Sequence, residues 1–208
     1  DRKHPMEKSE KEGWDNMEPL QIMIEGSGRH VHLSQADLEV LFGDGFQLEV
    51  RKELSQPGQF ATFQKVDVVG PKGTLKGVTV LGPCRKESQV EVSFTDARAL
   101  GLNPKIRESG MLDGTDGCTL IGPAGEVTLG KGLIVAKRHI HMTPETAEHY
   151  HIADKEILQV RVEGERAMVF DEVVARVSAS YADAMHIDYD EMNAAGLSGT
   201  TYGIVLKK

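Results

Sequence analysis

The residues of this sequence best suited to chemistry are two short histidine motifs, Arg29-His30-Val31-His32-Leu33-Ser34 and Arg138-His139-Ile140-His141-Met142-Thr143. On a strand, side chains at i and i+2 share a face, with Cα atoms roughly 6.5–7 Å apart. Two imidazoles so placed can each give a ring nitrogen to one metal ion at about 2.0–2.1 Å. Val31 and Ile140 then point the other way, into a core. One such pair carries little weight, but this one recurs 109 residues on in a matching setting. A second alignment, at an offset of 95, sets Val90-Glu91-Val92-Ser93-Phe94-Thr95 and the run Asp96 to Leu102 beside Met185-His186-Ile187-Asp188-Tyr189-Asp190 and the run Glu191 to Leu197. Glu91 thereby falls opposite His186. Two sets result, His30/His32/Glu91 and His139/His141/His186. Three ligands each suit two zinc ions with one open position apiece, and imidazole-rich sets favour zinc over magnesium or calcium. The alternative is six separate structural or surface residues, and it leaves the agreement of the halves at three positions unexplained.

The other candidates are weaker. His149 and His151 also read H-x-H, but the capped segment after Thr143 is expected to be helical. Residues i and i+2 on a helix lie about 200° apart, so both are read as exposed and non-chelating. His4 is read as a bystander in a tail. Arg85 follows Gly82-Pro83, read as a tight turn, and lies six residues before Glu91. It can serve as a two-pronged donor to phosphate or carboxylate, or be a solvated surface arginine. Cys84 is read as a packed or partly exposed thiol rather than a further ligand. Ser109-Gly110 and Gln56-Pro57-Gly58-Gln59 are polar loops that could line a site, and by themselves they are ordinary turns. No GxSxG elbow supports an acyl-serine mechanism, and no GxGxxG or P-loop supports a nucleotide-binding α/β fold.

The elements that must position these residues repeat as well. Each histidine pair follows an apolar run, Leu20–Ile24 or Leu133–Val135, and precedes a helix start: Ser34 with Asp37, and Thr143 with Pro144. Alternating strands are expected next, at Phe46–Val50 and Ile157–Val162. The shared plan closes with a strand bearing the third ligand-type residue and a helix ending in Gly-Leu. Further short strands are read at Lys65–Val69, Gly77–Leu81, Cys118–Ile121, Glu126–Leu129, Ala167–Val177 and Gly203–Leu206. Gly70-Pro71-Lys72-Gly73 and Gly122-Pro123-Ala124-Gly125 are hairpin-type turns. The expected fold is mainly β: two small, internally repeated β-barrel domains with short helical caps and the metal site between them.

Composition narrows the partners. The 24 basic and 32 acidic side chains leave a net charge of −8, which argues against nucleic acid or an anionic membrane. No apolar run approaches the ~18 residues of a membrane helix. Hydrophobic residues at 39% and charged residues at 27% are globular values, and 22 glycines fit many turns between short strands. Cys84 and Cys118 form no CxxC pair and read as free thiols in a reducing, cytosolic compartment. Residues 1–18 are a polar tail, with Trp14 its one large anchor and Met6 a candidate natural start. It carries no secretory or mitochondrial signal.

Four ordered motifs, Arg29 to Ser34, Leu81-Gly82-Pro83-Cys84-Arg85 leading to Gln89-Val90-Glu91-Val92-Ser93, Arg138 to Met142, and His186-Ile187-Asp188, resemble the PduL-type phosphotransacylases. The match runs from about residue 20 to the C-terminus. The resemblance implies a zinc-dependent phosphate acyltransferase that interconverts a short-chain acyl-CoA (propanoyl or acetyl) plus phosphate with acyl phosphate plus coenzyme A, by direct phosphate attack at a dinuclear zinc site. It implies metal ligands His30, His32, Glu91, His139, His141 and His186 for two zinc ions per chain. It also implies that Arg85 is the catalytic, phosphate-binding arginine and that Ser109 contacts substrate, although Met111-Leu112 departs from the family's form beside it. It divides the chain into 19–28 with 137–208, a discontinuous first barrel, and 29–136, where the repeat alone would cut near 136. A homodimer is implied too. Microcompartment members carry an amphipathic N-terminal targeting helix, and the charged tail here lacks its apolar stripe. A cytoplasmic form is therefore expected, with the bacterial microcompartment lumen as the alternative. Two rivals remain at this stage: a dinuclear zinc hydrolase, separated by phosphate dependence, and a non-catalytic zinc-stabilised barrel, which would have closed sites and unfold on chelation.

Overall fold

A computed structural model of the protein describes residues 17–208. The tail read over residues 1–18, with His4, Met6 and Trp14, lies outside the described residues but for its last two. The chain runs β1 (Gln21–Ser27), β2 (His30–Ser34), α1 (Gln35–Phe42), β3 (Val50–Glu53), β4 (Phe60–Val69), β5 (Thr74–Arg85), β6 (Gln89–Glu91), α2 (Phe94–Leu100), β7 (Ile106–Arg107), β8 (Asp116–Ile121), β9 (Glu126–Ala136), β10 (His139–Met142), α3 (Pro144–His149), β11 (Ile157–Val162), β12 (Met168–Val177), β13 (Ala184–Asp188), α4 (Tyr189–Ala195) and β14 (Thr201–Lys207).

These strands close into two barrels of six. One has the order β1-β13-β10-β12-β11-β14, with β14 returning to β1. The other runs β4-β5-β2-β6-β9-β8, closed by the pairing of β8 with β4, and β3 and β7 extend it at β4 and β9. The two share one pattern of parallel and antiparallel ladders. In it β10 corresponds to β2, β13 to β6, β12 to β5 and β1 to β9. The strand leading into each histidine motif therefore belongs to the barrel of the other half. β1 pairs with β13 and β14, while β9 pairs with β6 and β8. The connections Gly28-Arg29 and Lys137-Arg138 cross between the barrels.

The period-two alternation of side chains orients the histidines. Val31 and Ile140 are fully buried, each in its own barrel core. Side chains of this size contribute about 1.5–3 kcal/mol each on burial. A one-residue slip of β2 or β10 would bring the histidines into the core and the aliphatic residues into the cleft, so the cores hold the register.

Several local expectations need correction. No strand forms at Phe46–Leu48; β3 begins at Val50. The alternation there is real in burial, since Phe46 and Leu48 pack against the core. No strand pairs with the segment, however, and the Gln64 side chain accepts the Glu49 N–H instead. The strands carrying Glu91 and His186 are shorter than read. β6 ends at Glu91 and β13 at Asp188, because Ser93 with Asp96 and Asp188 with Glu191 form capping boxes that start α2 and α4 early. Glu126–Leu129 and Leu133–Val135 join as one strand, β9, across Gly132 at φ 114°. Gly82-Pro83 lies inside β5 and is joined by a cis peptide bond, not a turn. α3 ends at His149, so His151 lies beyond it, at φ 51°. Both histidines are exposed, as expected.

Candidate active site

The two histidine strands face one cleft of about 820 Å³ between the barrels, lined by His30, His32, Glu91, His139, His141 and His186 together with Arg85 and Ser109. The alignment of the halves is mirrored in strand register: His30 pairs with Glu91 between β2 and β6, and His139 with His186 between β10 and β13. In the first set the Nε2 atoms of His30 and His32 are 3.1 Å apart, and Glu91 oxygens lie 3.4 Å from His30 and 3.8 Å from His32. These three potential ligand atoms lie within 4.8 Å of one another, the one such group of three found among the described residues. In the second set the rings make mutual contact, with centroids 4.6 Å (His139–His141), 5.4 Å (His139–His186) and 4.9 Å (His141–His186) apart.

The donor chemistry fits a metal. His30 Nδ1 meets the Gly28 carbonyl and His139 Nδ1 the Lys137 carbonyl, both at 2.8 Å. Each carbonyl accepts an N–H from Nδ1 and leaves Nε2 as the lone-pair donor, the usual arrangement behind a metal-bound histidine. In the second set, His141 Nδ1 and His186 Nε2 are buried without any hydrogen-bond partner. Buried polar atoms seldom stay unpaired, and an ion would satisfy both.

The two sets differ in charge. Burial opposes the charge on His30, but the adjacent Glu91 carboxylate raises its pKa above the ordinary imidazole value. Burial and neighbouring His30 hold His32 well below that value. Glu91 is driven far below the carboxylate range: burial opposes this, but His30, His32 and Arg85 outweigh it. The second set has no carboxylate of its own. Burial, reinforced by mutual repulsion among the rings, lowers His141 to about 2 and His186 to about 3, and burial lowers His139 as well.

The supports repeat too. Arg29 pairs with Asp96 at 2.7 Å, and Arg138 pairs with Glu191, its counterpart, at 2.6 Å. Each arginine immediately precedes a histidine strand and each acid is the third residue of the helix after the third ligand-type residue, so the pair ties the two together. The Thr95 amide donates to Asp190, its repeat equivalent, at 2.9 Å, which brings the halves into contact across their approximate twofold relation. Ser88 and Asp183 hold the strand ends in the same way, accepting the amides of Ser34 and Thr143.

The halves diverge around Arg85. Its Nη1 donates to Ser109 Oγ at 2.8 Å, and Gln89 Nε2 donates to the same oxygen at 2.9 Å and to Glu91 Oε1 at 2.6 Å. The Gly110 amide donates to Gln89 Oε1 at 2.8 Å. Gln89 thus joins the phosphate-type arginine to the metal-type carboxylate. Sequence reasoning missed it, although a residue two before Glu91 on a strand shares its face. Gln56, on one of the polar loops that could line a site, does line the cleft. It exchanges hydrogen bonds with the backbone of Ala182 and so bridges the barrels beside the cleft. Glu25, Arg176 and Tyr181, which also line the cleft, carried no motif.

This geometry meets a consistent set of relatives. The family described as phosphate propanoyltransferase matches residues 23–198. The chain belongs to this family. It is 54% identical over 187 residues to a phosphate propanoyltransferase of Clostridioides difficile, covering 90% of each chain. A phosphate propanoyltransferase of Enterococcus faecalis is 55% identical over 184 residues, 88% of this chain and 87% of that one. One of Thermotoga maritima is 53% identical over 178 residues, 85% of each. In this chain the cleft sets two imidazole groups beside one hydroxyl-bound guanidinium. Among the described residues no helix is long and apolar enough to cross a membrane.

Proposed function

We propose that the protein transfers a short acyl group, propanoyl or acetyl, between coenzyme A and phosphate, using two zinc ions held by His30, His32 and Glu91 and by His139, His141 and His186. The observation that supports this most is the meeting of both ligand sets with Arg85 in one cleft of a chain from this family. The first set has converging ligand atoms, and the second has two orphaned ring nitrogens. When bound, the zinc pair would supply Lewis acidity to the thioester carbonyl and the departing thiolate.

The chain's own groups do the rest. Arg85, steadied by Ser109, binds and aims a phosphate dianion, so that a phosphate oxygen attacks the thioester carbon directly. The acyl–oxygen bond forms, the acyl–sulfur bond breaks, and the phosphate proton passes to the leaving thiolate. No covalent acyl-enzyme intervenes. On this reading the two barrels are the domains, 19–28 with 137–208 and 29–136. The test is thiol release from propanoyl-CoA and acetyl-CoA with and without phosphate. Release that requires phosphate supports the transferase; equal release without phosphate makes the protein a thioester hydrolase.

A further inference from the structure

Arg176 stands on β12 in register with His141, and its side chain lines the same cleft as Arg85, from the opposite barrel. Its guanidinium carbon lies 5.7 Å from the centroid of the Tyr181 ring, and that ring in turn lies 4.3 Å from His141. A guanidinium resting on an aromatic face keeps its in-plane N–H donors free, so this contact orients the group without occupying it. Neither Arg85 nor Arg176 has an ion-pair partner among the described residues. Two carboxylates of the cleft are held by other groups as well. Glu91 serves His30, His32 and Gln89, and Glu25 accepts from Ser55 at 2.5 Å. Burial lowers the Arg85 pKa; the Glu91 carboxylate opposes this, and the Arg176 charge lowers it further. Two like charges aimed into one half-buried cleft cost free energy unless an anion compensates them.

We propose that Arg176 is a second phosphate-holding residue, which closes with Arg85, one from each barrel, on a single inorganic phosphate dianion. This rests on the acyl-transfer reading above and adds to it a residue that no sequence motif marks. Four phosphate oxygens can take a charge-assisted fork from one guanidinium and a single contact from the other and still present one oxygen to the thioester. The phosphates of coenzyme A offer the same chemistry, so the test must separate the two sources.

The experiment uses the zinc-loaded full chain as wild type, Arg176→Gln and Arg176→Lys. Phosphate is varied at saturating propanoyl-CoA, then propanoyl-CoA at saturating phosphate. Calorimetric titration with inorganic phosphate alone gives a readout independent of turnover. Removing one charge-assisted contact should weaken phosphate about tenfold to a hundredfold. The proposal therefore expects Arg176→Gln to raise the phosphate KM and Kd by about tenfold or more. The propanoyl-CoA KM and the zinc content should stay near wild type, and Arg176→Lys should recover part of the loss. An unchanged phosphate Kd in Arg176→Gln overturns it. So does a rise confined to the propanoyl-CoA KM, which would give Arg176 to a coenzyme A phosphate, or loss of zinc from the Lys variant, which would make its role structural. If wild type turns over without phosphate, the acyl-transfer reading fails, while the calorimetric arm still decides whether Arg176 binds the anion.

Discussion

Lowering the pH of the metal-free protein should destabilise it through the second histidine set. Burial lowers His141 to about 2 and His186 to about 3, so both stay neutral in the fold well below pH 6. In the unfolded chain each takes up a proton near the ordinary value of about 6.5. Below that point the unfolded state binds more protons than the native one, so stability falls as pH falls, by up to about 1.4 kcal/mol per unit for each histidine. Between pH 7.5 and 5.5 the cost is about 1.4 kcal/mol each, or roughly 3 kcal/mol for the pair. His32 and His139 are also lowered and act in the same direction. His30 opposes them: its raised pKa contributes stability that is fully present below pH 6.5 and is lost as pH rises through the folded value. A loss of this size is a large part of the ~5–15 kcal/mol that holds a typical domain together. Urea unfolding of chelator-treated protein at pH 7.5, 6.5 and 5.5 measures it, with His141→Gln removing one titrating ring. The pH slope should be steep in wild type and shallower in the variant. Equal slopes, or a wild type that gains stability on acidification, would refute the reasoning.

Three further outcomes follow from the same geometry. Glu91→Gln keeps the shape but removes the only carboxylate in the first set, and should lower bound zinc from two ions toward one by elemental analysis; two retained ions would remove Glu91 from the ligand set. Arg85→Ala deletes the guanidinium held on Ser109 and should raise the phosphate KM about tenfold or more, the loss expected for a charged hydrogen bond, with zinc content intact. A Cβ on Gly117 would stand 2.0 Å from the Leu129 carbonyl oxygen. Gly117→Ala should therefore cost about 1–3 kcal/mol in denaturant unfolding, and a neutral result would mean that β8 can move off β9.

Much of the candidate site was legible because its proposed ligands obey two local rules. Histidines at i and i+2 around Val31 and Ile140 state both the face and the core in three letters each. The internal repeat then brings in Glu91 and His186, which the ladders set beside His30 and His139. What stayed hidden depends on partners distant in sequence. The β character of Leu20–Ile24 is local, but its pairing with β13 and β14 of the other half has no local signal. Phe46–Leu48 alternates as a strand would, yet packing alone enforces that alternation and no neighbouring strand completes a ladder. Arg176 and Tyr181 are single residues, and only the closure of β12 beside β10 brings them to the cleft. Gln89 shares the face of Glu91, two residues on, but a single glutamine carries no chemical signal of its own.

The most direct test of the account is thiol release from propanoyl-CoA by one preparation of protein, measured as isolated, after zinc removal at neutral pH, and after zinc is restored, each with and without phosphate. The account predicts release only where phosphate and zinc are both present, with recovery on adding zinc back. Undiminished phosphate-dependent release from the zinc-free protein would contradict it.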